Sequence, residues 1–281
     1  PTEVPADLVL PNAQMQIAGS VGGDYAILGG IWSQHWTQSH IASQYKDIDS
    51  YDLTDKDFEI DWSELYSDAL VDLAEIKTKS SAAGEWNSYL QATCLEAYTY
   101  QILADLYDKV PCKEAVQGSA NLTPKFDNGE AIYDELFTRI NAALAKDFNA
   151  ATVVKVTSDL IFGSQDKSGQ IDSWKRFANT LKLKMLLRQT ESSRAADATQ
   201  KINNMLSSGT AFLTGHAAIS IFIDEANRSN PLYENNVRQL NVATNIRASY
   251  TLMSLLQANN DPRLDAYFVP GSAGHFALAQ G

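Results

Sequence analysis

Cysteine is scarce in this sequence, which contains only Cys94 and Cys112 among its 281 residues. Cys94 lies in an apolar segment whose helical periodicity extends to about Val110. If that helix is unbroken, its rise of about 1.5 Å per residue separates the two cysteines by some 24 Å. A disulfide requires Cα atoms within about 7 Å, so we predict that the two cysteines are not bonded to each other.

Long apolar runs and an excess of basic residues are also missing. No stretch approaches the roughly eighteen apolar residues that a membrane-spanning helix needs. The formal net charge of −12, with no stripe of lysine or arginine, argues against a nucleic acid partner. The first residues, PTEVPADLVLPNAQ, lack the basic and apolar segments of a signal peptide, as a mature or trimmed chain would also do.

Catalytic motifs are absent as well. The sequence contains no GxSxG, no HExxH, no Walker loop and no GxGxxG that opens a helix after a strand. Two zinc ligands on one helical face would lie about three or four residues apart, whereas His35 and His40 are five apart. We therefore predict neither an enzyme nor a zinc site.

What the sequence does contain is helical periodicity. Strand-like alternation is rare, and its best example is Ile219 to Asp224. The pattern predicts a long helix from Met15 to about Thr37, despite several glycines, and a last helix from Ser249 to Asn259. The residues expected to cap or open further helices are Asp127 and Asp172, and the residue expected to close one is Gly209.

The segment from Trp86 to Asp108 is apolar around much of its circumference. Projected at about 100° per residue, its apolar surface covers roughly 200°, against about 100° for a helix that buries one face. Such a helix packs between neighbours on two sides, as it would in a stack of helical hairpins. We therefore predict an all-α fold of stacked hairpins joined by long irregular loops.

Glu96 projects into the middle of this apolar arc. Because an unpaired buried carboxylate is very costly, we expect Glu96 to be neutral or to bond a helix end or an arginine such as Arg188. The alternative is a catalytic acid. That alternative is disfavoured because no second carboxylate shares this face and because buried charges are usually paired.

Five motifs occur in an order that resembles a known family. They are EAYTYQILADLYDKVPCKEA, LTPKFDNGEAIYDELFTRINAAL, WKRFANTLKLKMLLR, NPLYE and NNDPRLDAYFVP. Their order and spacing, from about Pro11 to Gly281, resemble the SusD/RagB family of nutrient-binding lipoproteins on the outer membrane of Bacteroidetes. The resemblance implies a scaffold similar to tetratricopeptide repeats, with proline-bearing connections between hairpins. Pro111 suits such a connection because its nitrogen cannot donate a hydrogen bond and its ring clashes with the preceding turn.

The same resemblance implies an architecture and a function. Residues 1–281 are expected to form a single SusD-like α/α superhelix that lacks the C-terminal portion of longer members. Its expected role is to capture oligosaccharides or other nutrients without catalysis, for import by a SusC-like TonB-dependent transporter. The implied location is the outer membrane surface, through a lipid anchor on an N-terminal cysteine that this chain does not show. The alternatives are a glycan-active enzyme that uses Glu96 or the acidic cluster between Asp47 and Asp61, and a purely structural subunit that caps the transporter.

Sugar recognition combines aromatic faces with polar groups that bond hydroxyls. The stretch from Ser39 to Ile60 has poor helical periodicity, and such long loops on a rigid scaffold often carry binding. In and just before it lie the candidate ligand-binding residues, which are Trp36, His40, Tyr45 and Tyr51. The alternative for Trp32 and Trp36, four residues apart on one helix, is packing in the core.

The same loop is acidic, and it raises the question of calcium. Calcium needs about six to eight oxygen ligands, and an EF-hand loop needs a central glycine that DKDFEID lacks. The alternation of acidic and apolar residues in DKDFEID predicts an extended segment with one solvated face. Calcium is the one cofactor that the sequence leaves open, and no other is predicted.

Overall fold

The structure, a computed structural model, describes residues 6–54, 56–238 and 244–281. Most of these residues are helical, which confirms the prediction of an α-helical fold. Contacts group the described chain into two compact units. Unit 1 comprises the N-terminal residues through Ile17 together with Glu64–Ile221, and unit 2 comprises Ala18–Ser63 and Phe222–Gly281. The single SusD-like domain that we expect over residues 1–281 stays a prediction.

Unit 1 is built from helical hairpins. Its main helices are α5 (Leu70–Ala83), α6 (Trp86–Tyr107), α7 (Gly129–Leu144), α8 (Lys167–Leu187) and α9 (Ala195–Ser207), and α1 (Ala6–Gly22) begins in it. A π-helical turn, Glu64–Ala69, leads into α5, and a 3₁₀ turn occupies Gly118–Ala120. The short strands β2 (Lys109–Pro111) and β3 (Phe126–Asn128) pair antiparallel between α6 and α7. Helix α6 packs on α5, α7 and α8, which confirms the prediction that it is enclosed by neighbours.

Local residues set where these helices begin and end. Gly84 ends α5 in the left-handed region, at φ 69°. Glu85 then caps α6, because its carboxylate accepts hydrogen bonds from the backbone N–H groups of Asn87 and Ser88. The chain thus reverses direction within two residues. Gly209, at φ 69°, directly follows the C-cap of α9, as predicted.

Two predicted cap positions are wrong. Helix α7 is capped by Asn128, whose Oδ1 accepts from the N–H three residues on, and α8 begins after Asp166 rather than at Asp172. Asp127 has a different partner, because its Oδ2 accepts hydrogen bonds from the backbone N–H groups of Cys112 and Lys113. Asp127 therefore stabilises the turn that follows Pro111 instead of the helix.

The proline-bearing element is held from several directions. Val110 is paired with Asp127 in the β2–β3 ladder, and the hydroxyl of Tyr66 donates to the Pro111 carbonyl at 2.7 Å. Arg139 Nη2 donates to the carbonyl of Cys112 at 3.3 Å. The connection between α6 and α7 is therefore an ordered part of unit 1. The two cysteines are free and buried, which confirms the prediction that they are not bonded to each other.

Glu96 is paired, as the structural interpretation predicts, although not with Arg188. Its Oε2 lies 2.6 Å from Lys77 Nζ and its Oε1 lies 3.1 Å from Arg139 Nη1. Arg188 instead pairs with Asp105, with 2.7 Å between Nε and Oδ2. Both oxygens of Glu96 are engaged, so this buried carboxylate links α5, α6 and α7.

A second buried carboxylate organises the other side of unit 1. Asp159 Oδ2 accepts from the indole Nε1 of Trp174 at 2.8 Å and from Gln170 Nε2 at 3.0 Å. Its Oδ1 accepts from Gln14 Nε2 at 2.9 Å and from the backbone N–H of Ile161 at 2.9 Å. These bonds connect α1, α8 and the irregular segment before α8. They also stabilise the buried carboxylate, which would be costly without hydrogen-bond donors.

Unit 2 is less regular. Its helices are α2 (Asp24–Trp32), α3 (Lys46–Asp49), α4 (Glu59–Ser63), α10 (Pro231–Tyr233), α11 (Tyr250–Ala258) and α12 (Arg263–Tyr267). A π-helical turn, Glu234–Arg238, follows α10. Strands β1 (Trp36–Gln38) and β4 (Ile246–Ala248) pair antiparallel, with Thr37 opposite Arg247. The helix predicted from Ser249 to Asn259 is confirmed as α11, which Ser249 caps, although the short helix α12 follows it and it is therefore not the last.

Three other predictions for these segments are wrong. The helix expected from Met15 to Thr37 is broken at Gly23, where the backbone leaves the helical region at φ −103° and ψ −109°, and Thr37 lies in strand β1. The segment Ile219 to Asp224 forms no strand. The described part of the acidic run DKDFEID is not extended, because residues 56–58 form a turn and helix α4 begins at Glu59, while Asp55 lies outside the described residues.

Candidate functional site

The candidate site lies in unit 2, on a small framework of apolar contacts. Ile27 and Ile31 of α2 pack with Tyr45 in a buried cluster, against which Trp36 and Ile48 are partly buried. The two isoleucines are four residues apart, so they share one face of α2. This cluster fixes the loop after β1 against the helix before it.

A buried carboxylate holds the same loop. Asp49 Oδ1 accepts from Thr37 Oγ1 at 2.9 Å and from the backbone N–H of Gln38 at 3.1 Å. Its Oδ2 accepts from the backbone N–H of Gly281 at 3.0 Å. Asp49 therefore joins α3, β1 and the segment at residues 278–281, and it serves the framework rather than a ligand.

Tyr45 belongs to this framework and cannot offer a ring face to a ligand. Its side chain is 5% exposed, its hydroxyl donates to the carbonyl of Asn235 at 3.4 Å, and its backbone N–H donates to Gln38 Oε1 at 2.7 Å. Burial, together with the nearby charge of Asp24, raises the pKa of Tyr45 to about 12. The sequence-based proposal of Tyr45 as a ligand contact is therefore corrected.

Tyr51 and Trp32 form an exposed pair that we call the aromatic platform. Trp32 is 45% exposed and Tyr51 is 49% exposed, and their ring centroids lie 5.4 Å apart with planes tilted by 45°. The indole Nε1 of Trp32 donates to the carbonyl of Ile48 at 3.1 Å, so the ring is anchored by its edge. Trp32 ends α2 at the surface, so the prediction that it packs in the core is wrong.

Amide groups surround the phenol of the platform. Gln34 Nε2 donates to the Tyr51 hydroxyl at 3.4 Å, and that hydroxyl donates to Gln280 Oε1 at 3.3 Å. Gln280 Nε2 in turn donates to the carbonyl of Ile31 at 2.6 Å. Tyr51 has φ 59°, a conformation that bulky residues rarely adopt and that costs about 1–3 kcal/mol. Such strain persists where the surroundings hold it, and binding sites are where it concentrates.

Trp36 is placed differently from the sequence-based alternative that put it on a helix. It begins β1, it is half-buried, and its ring lies against Gly30, where an added Cβ would come within 2.2 Å of Cε3. Trp36 also lines a hollow of about 940 Å³, which we call the main cleft. The other residues that line the main cleft are His35, Leu252, Leu255, Leu256, Asn259, Asp261, Arg263, Ala266, Tyr267 and Phe268.

His40 is exposed and lines a second hollow of about 380 Å³, which we call the side cleft. Tyr267 and Phe268 line both clefts, so the two hollows adjoin each other at the end of α12. Of the four predicted residues, the structure thus puts Tyr51 on the platform, Trp36 and His40 in adjoining clefts, and Tyr45 in the core. The sequence reasoning missed Tyr267 and Gln280, and the DPR motif just before Tyr267 was the only local signal near them.

Over residues 6–54, 56–238 and 244–281, no three or more His, Cys, Asp or Glu side chains are grouped as a metal site would require. The acidic loop contributes Asp49, which is buried and hydrogen-bonded, and Glu96 in unit 1 is ion-paired. Calcium binding stays a prediction. No helix in the described part of the chain is long and apolar enough to cross a bilayer.

Comparison with known proteins follows the motifs noted above. A SusD-like family model, described as starch-binding and associating with outer membrane, matches residues 2–277. No curated protein sequence matches the chain. A SusD-like protein from Bacteroidetes shares 21% identity at a TM-score of 0.74, over 93% of this chain and 50% of its own.

Two other solved structures are similar to the same extent. A SusD-like protein from Bacteroides thetaiotaomicron has 20% identity and a TM-score of 0.70, over 99% of this chain and 56% of its own. A chitin-binding SusD homologue from Flavobacterium johnsoniae has 18% identity and a TM-score of 0.73, over 97% of this chain and 57% of its own. The chain therefore spans 50–57% of the length of these three structures and shares their fold.

Proposed function

Since this chain belongs to the SusD-like family described as starch-binding and associating with outer membrane, we propose that it binds a neutral oligosaccharide through its aromatic platform, without catalysis. The observation that carries the proposal is the pair of exposed rings, Trp32 and Tyr51, bordered by the amides of Gln34 and Gln280. An exposed aromatic face covers the apolar C–H face of a sugar, while amides bond its hydroxyls.

The platform meets the general requirements of such a site. Its rings are anchored before any ligand arrives, because the indole N–H of Trp32 is bonded to Ile48 and the phenol of Tyr51 is bonded to Gln280. A preorganised surface loses less conformational entropy on binding than a mobile one. The direct neighbours of the two rings in these bonds are uncharged, which favours a neutral ligand.

The partner and the location are part of the same proposal. The family description associates its members with the outer membrane, and one similar structure is named as chitin-binding. We infer that the chain hands its ligand to a SusC-like TonB-dependent transporter at the cell surface. Co-purification from outer membranes tests that inference. A tagged form of this protein that brings down no such transporter would contradict it.

The binding proposal is tested by isothermal titration with maltoheptaose as a starch-type ligand and chitohexaose as a chitin-type ligand. Trp32→Ala and Tyr51→Ala should each weaken binding about tenfold, which corresponds to about 1.4 kcal/mol. Tyr250→Ala is the matched control, since Tyr250 is 64% exposed and lies in neither cleft nor the platform.

Four outcomes separate the possibilities. Loss of affinity in the platform variants but not in the control supports the proposal. If all variants bind the glycan equally, the platform is not the binding site, although the protein still binds glycans. A silent titration against both ligands would overturn the function and favour the structural capping subunit. Release of new reducing ends during the incubation would point to the enzyme instead.

A further inference from the structure

The main cleft of unit 2 is lined by residues of mixed chemistry. At about 940 Å³ it lies within the range of about 300–1,000 Å³ typical of ligand pockets. One wall is apolar, from leucines of α11, and another carries the rings of Trp36, Tyr267 and Phe268. Polar groups from His35 and Asn259 lie at the same hollow. A purely apolar groove would indicate a lipid or a packing partner, and this cleft is not one.

The two charged residues of the cleft neutralise each other. Arg263 Nε lies 2.9 Å from Asp261 Oδ1 and 3.0 Å from Asp261 Oδ2, and Arg263 Nη2 bonds the same carboxylate. Both oxygens of Asp261 and one edge of the guanidinium are engaged. A cationic ligand would have to break this pair to reach the carboxylate, and an anionic ligand would meet a guanidinium whose charge Asp261 already offsets. The cleft therefore suits an uncharged ligand that hydrogen-bonds with amide and imidazole groups.

Tyr267 has the position and exposure of a stacking residue. It is 58% exposed at the end of α12, and its ring meets Phe268 edge to face, with centroids 6.4 Å apart and planes at 90°. Because Phe268 contacts Tyr267 in this edge-to-face arrangement, the second ring orients the first without stacking on it. Tyr267 also lines the side cleft, so a ligand longer than one sugar ring could follow its ring from one cleft into the other.

We propose that the main cleft is a second saccharide subsite, in which a neutral pyranose stacks on Tyr267 and bonds Asn259 and His35. This proposal rests on the proposed function and goes beyond it, because it adds a site separate from the aromatic platform. Asn259 Nδ2 already donates to the carbonyl of Leu255 at 2.8 Å, which orients its Oδ1 as an acceptor for a sugar hydroxyl.

The test compares Tyr267→Ala with Tyr250→Ala by titration with maltoheptaose and chitohexaose. These tyrosines are almost equally exposed, and only Tyr267 lines the clefts. Tyr267→Ala should weaken binding of the preferred glycan about fivefold or more, as removal of a stacking ring does, whereas Tyr250→Ala should not. Tyr267→Phe keeps the ring, so its affinity should stay near that of the unchanged protein. If the alanine variant unfolds, the soaked crystals of Trp32→Ala decide instead, and an empty main cleft in them would refute the subsite.

A second arm separates this subsite from the platform. Trp32→Ala should retain weak binding that the double variant Trp32→Ala/Tyr267→Ala loses, and crystals of Trp32→Ala soaked in the glycan should show a sugar in the main cleft. If Tyr267→Ala binds like Tyr250→Ala while Trp32→Ala loses all binding, the second subsite is refuted and the proposed function stands. A soaked crystal in which protein from a second copy or another chain segment fills the cleft would also refute it. If the unchanged protein binds neither glycan, the proposed function itself fails.

Discussion

Replacement of Gly30 by alanine tests how the site framework is packed. A Cβ at Gly30 would lie 2.2 Å from Cε3 of Trp36 and 2.7 Å from Cδ2 and Cζ3. Carbon atoms in contact are normally about 3.5–4.0 Å apart, so the indole would have to move by roughly 1.3 Å or more. Trp36 packs on the Ile27, Ile31 and Tyr45 cluster and its backbone pairs with β4, so a displaced indole would lose part of that packing.

The neighbouring glycine supplies the control. Gly29 lies in the same helix, and a Cβ there would meet nothing within 4 Å. Each substitution replaces glycine by the best helix former and gains about 1 kcal/mol from helix propensity alone. Since both variants share that gain, it cancels in their comparison. Forcing an extra methyl group into a packed site costs about 1–3 kcal/mol, so we expect Gly30→Ala to be less stable than Gly29→Ala by that amount.

The measurement is denaturation in guanidinium chloride, followed by tryptophan fluorescence and near-ultraviolet circular dichroism. If the two units unfold in separate steps, the step that belongs to unit 2 is compared. Gly30→Ala should also change the fluorescence of the folded protein, because one indole is displaced. Free energies of unfolding that agree within about 0.5 kcal/mol, with unchanged spectra, would show that Trp36 does not lie against Gly30 as described.

Three further predictions concern buried and paired groups. Arg139→Met removes one of the two cations beside the buried Glu96 carboxylate and should lower the free energy of unfolding by about 3 kcal/mol. If the double variant Arg139→Met/Glu96→Gln recovers none of this loss, the pairing is contradicted. Burial raises the pKa of the Cys112 thiol to about 12 and also raises the pKa of the Cys94 thiol. Neither thiol should therefore react with a thiol reagent at pH 8 until the protein unfolds. Mass spectrometry of the folded protein after exposure to the reagent measures this, and a labelled cysteine would contradict it. The hydrogen bonds from Arg263 lower the pKa of Asp261 to about 2. Their contribution to stability is therefore present above the ordinary aspartate pKa of 3.8 and is lost as the pH falls through 2. A carboxyl NMR titration of Asp261 with its midpoint near 3.8 would argue against the ion pair.

The helices of unit 1 could be predicted because their signals are local. The apolar arc of α6 extends around so much of the helix that only a sandwiched position can bury it, and α6 does pack on three neighbours. The need of Glu96 for partners followed from the same projection. The identity of those partners did not, because Lys77 and Arg139 reach Glu96 from two other helices. Asp127 was predicted as a helix cap because the capping pattern depends only on the next few residues. Its actual partners, the backbone N–H groups of Lys113 and Cys112, lie fourteen and fifteen residues away.

The candidate site could be predicted only as a region. Trp32, Tyr45 and Tyr51 lie in one aromatic stretch, and composition does not tell which of their rings is exposed. Tyr45 is buried because its ring fills the cluster made by α2, while Tyr51 is exposed and held by Gln280. The residues bonded in that last contact are 229 positions apart in the chain, so no local pattern could reveal it.

By itself, the sequence determined that the chain is mostly helical, that α6 is enclosed, that Glu96 must be neutral or find partners and that the two cysteines are not bonded to each other. Each of these depends on the spacing of residues within one helix or on the cost of burying a charge, and both can be derived from neighbours in the sequence. Only the tertiary structure decided which aromatic rings face solvent, where the main cleft lies and that Tyr267 lines it. Irregular segments have no period that fixes the direction of a side chain, so contacts with residues far along the chain decide which rings are left to meet a ligand.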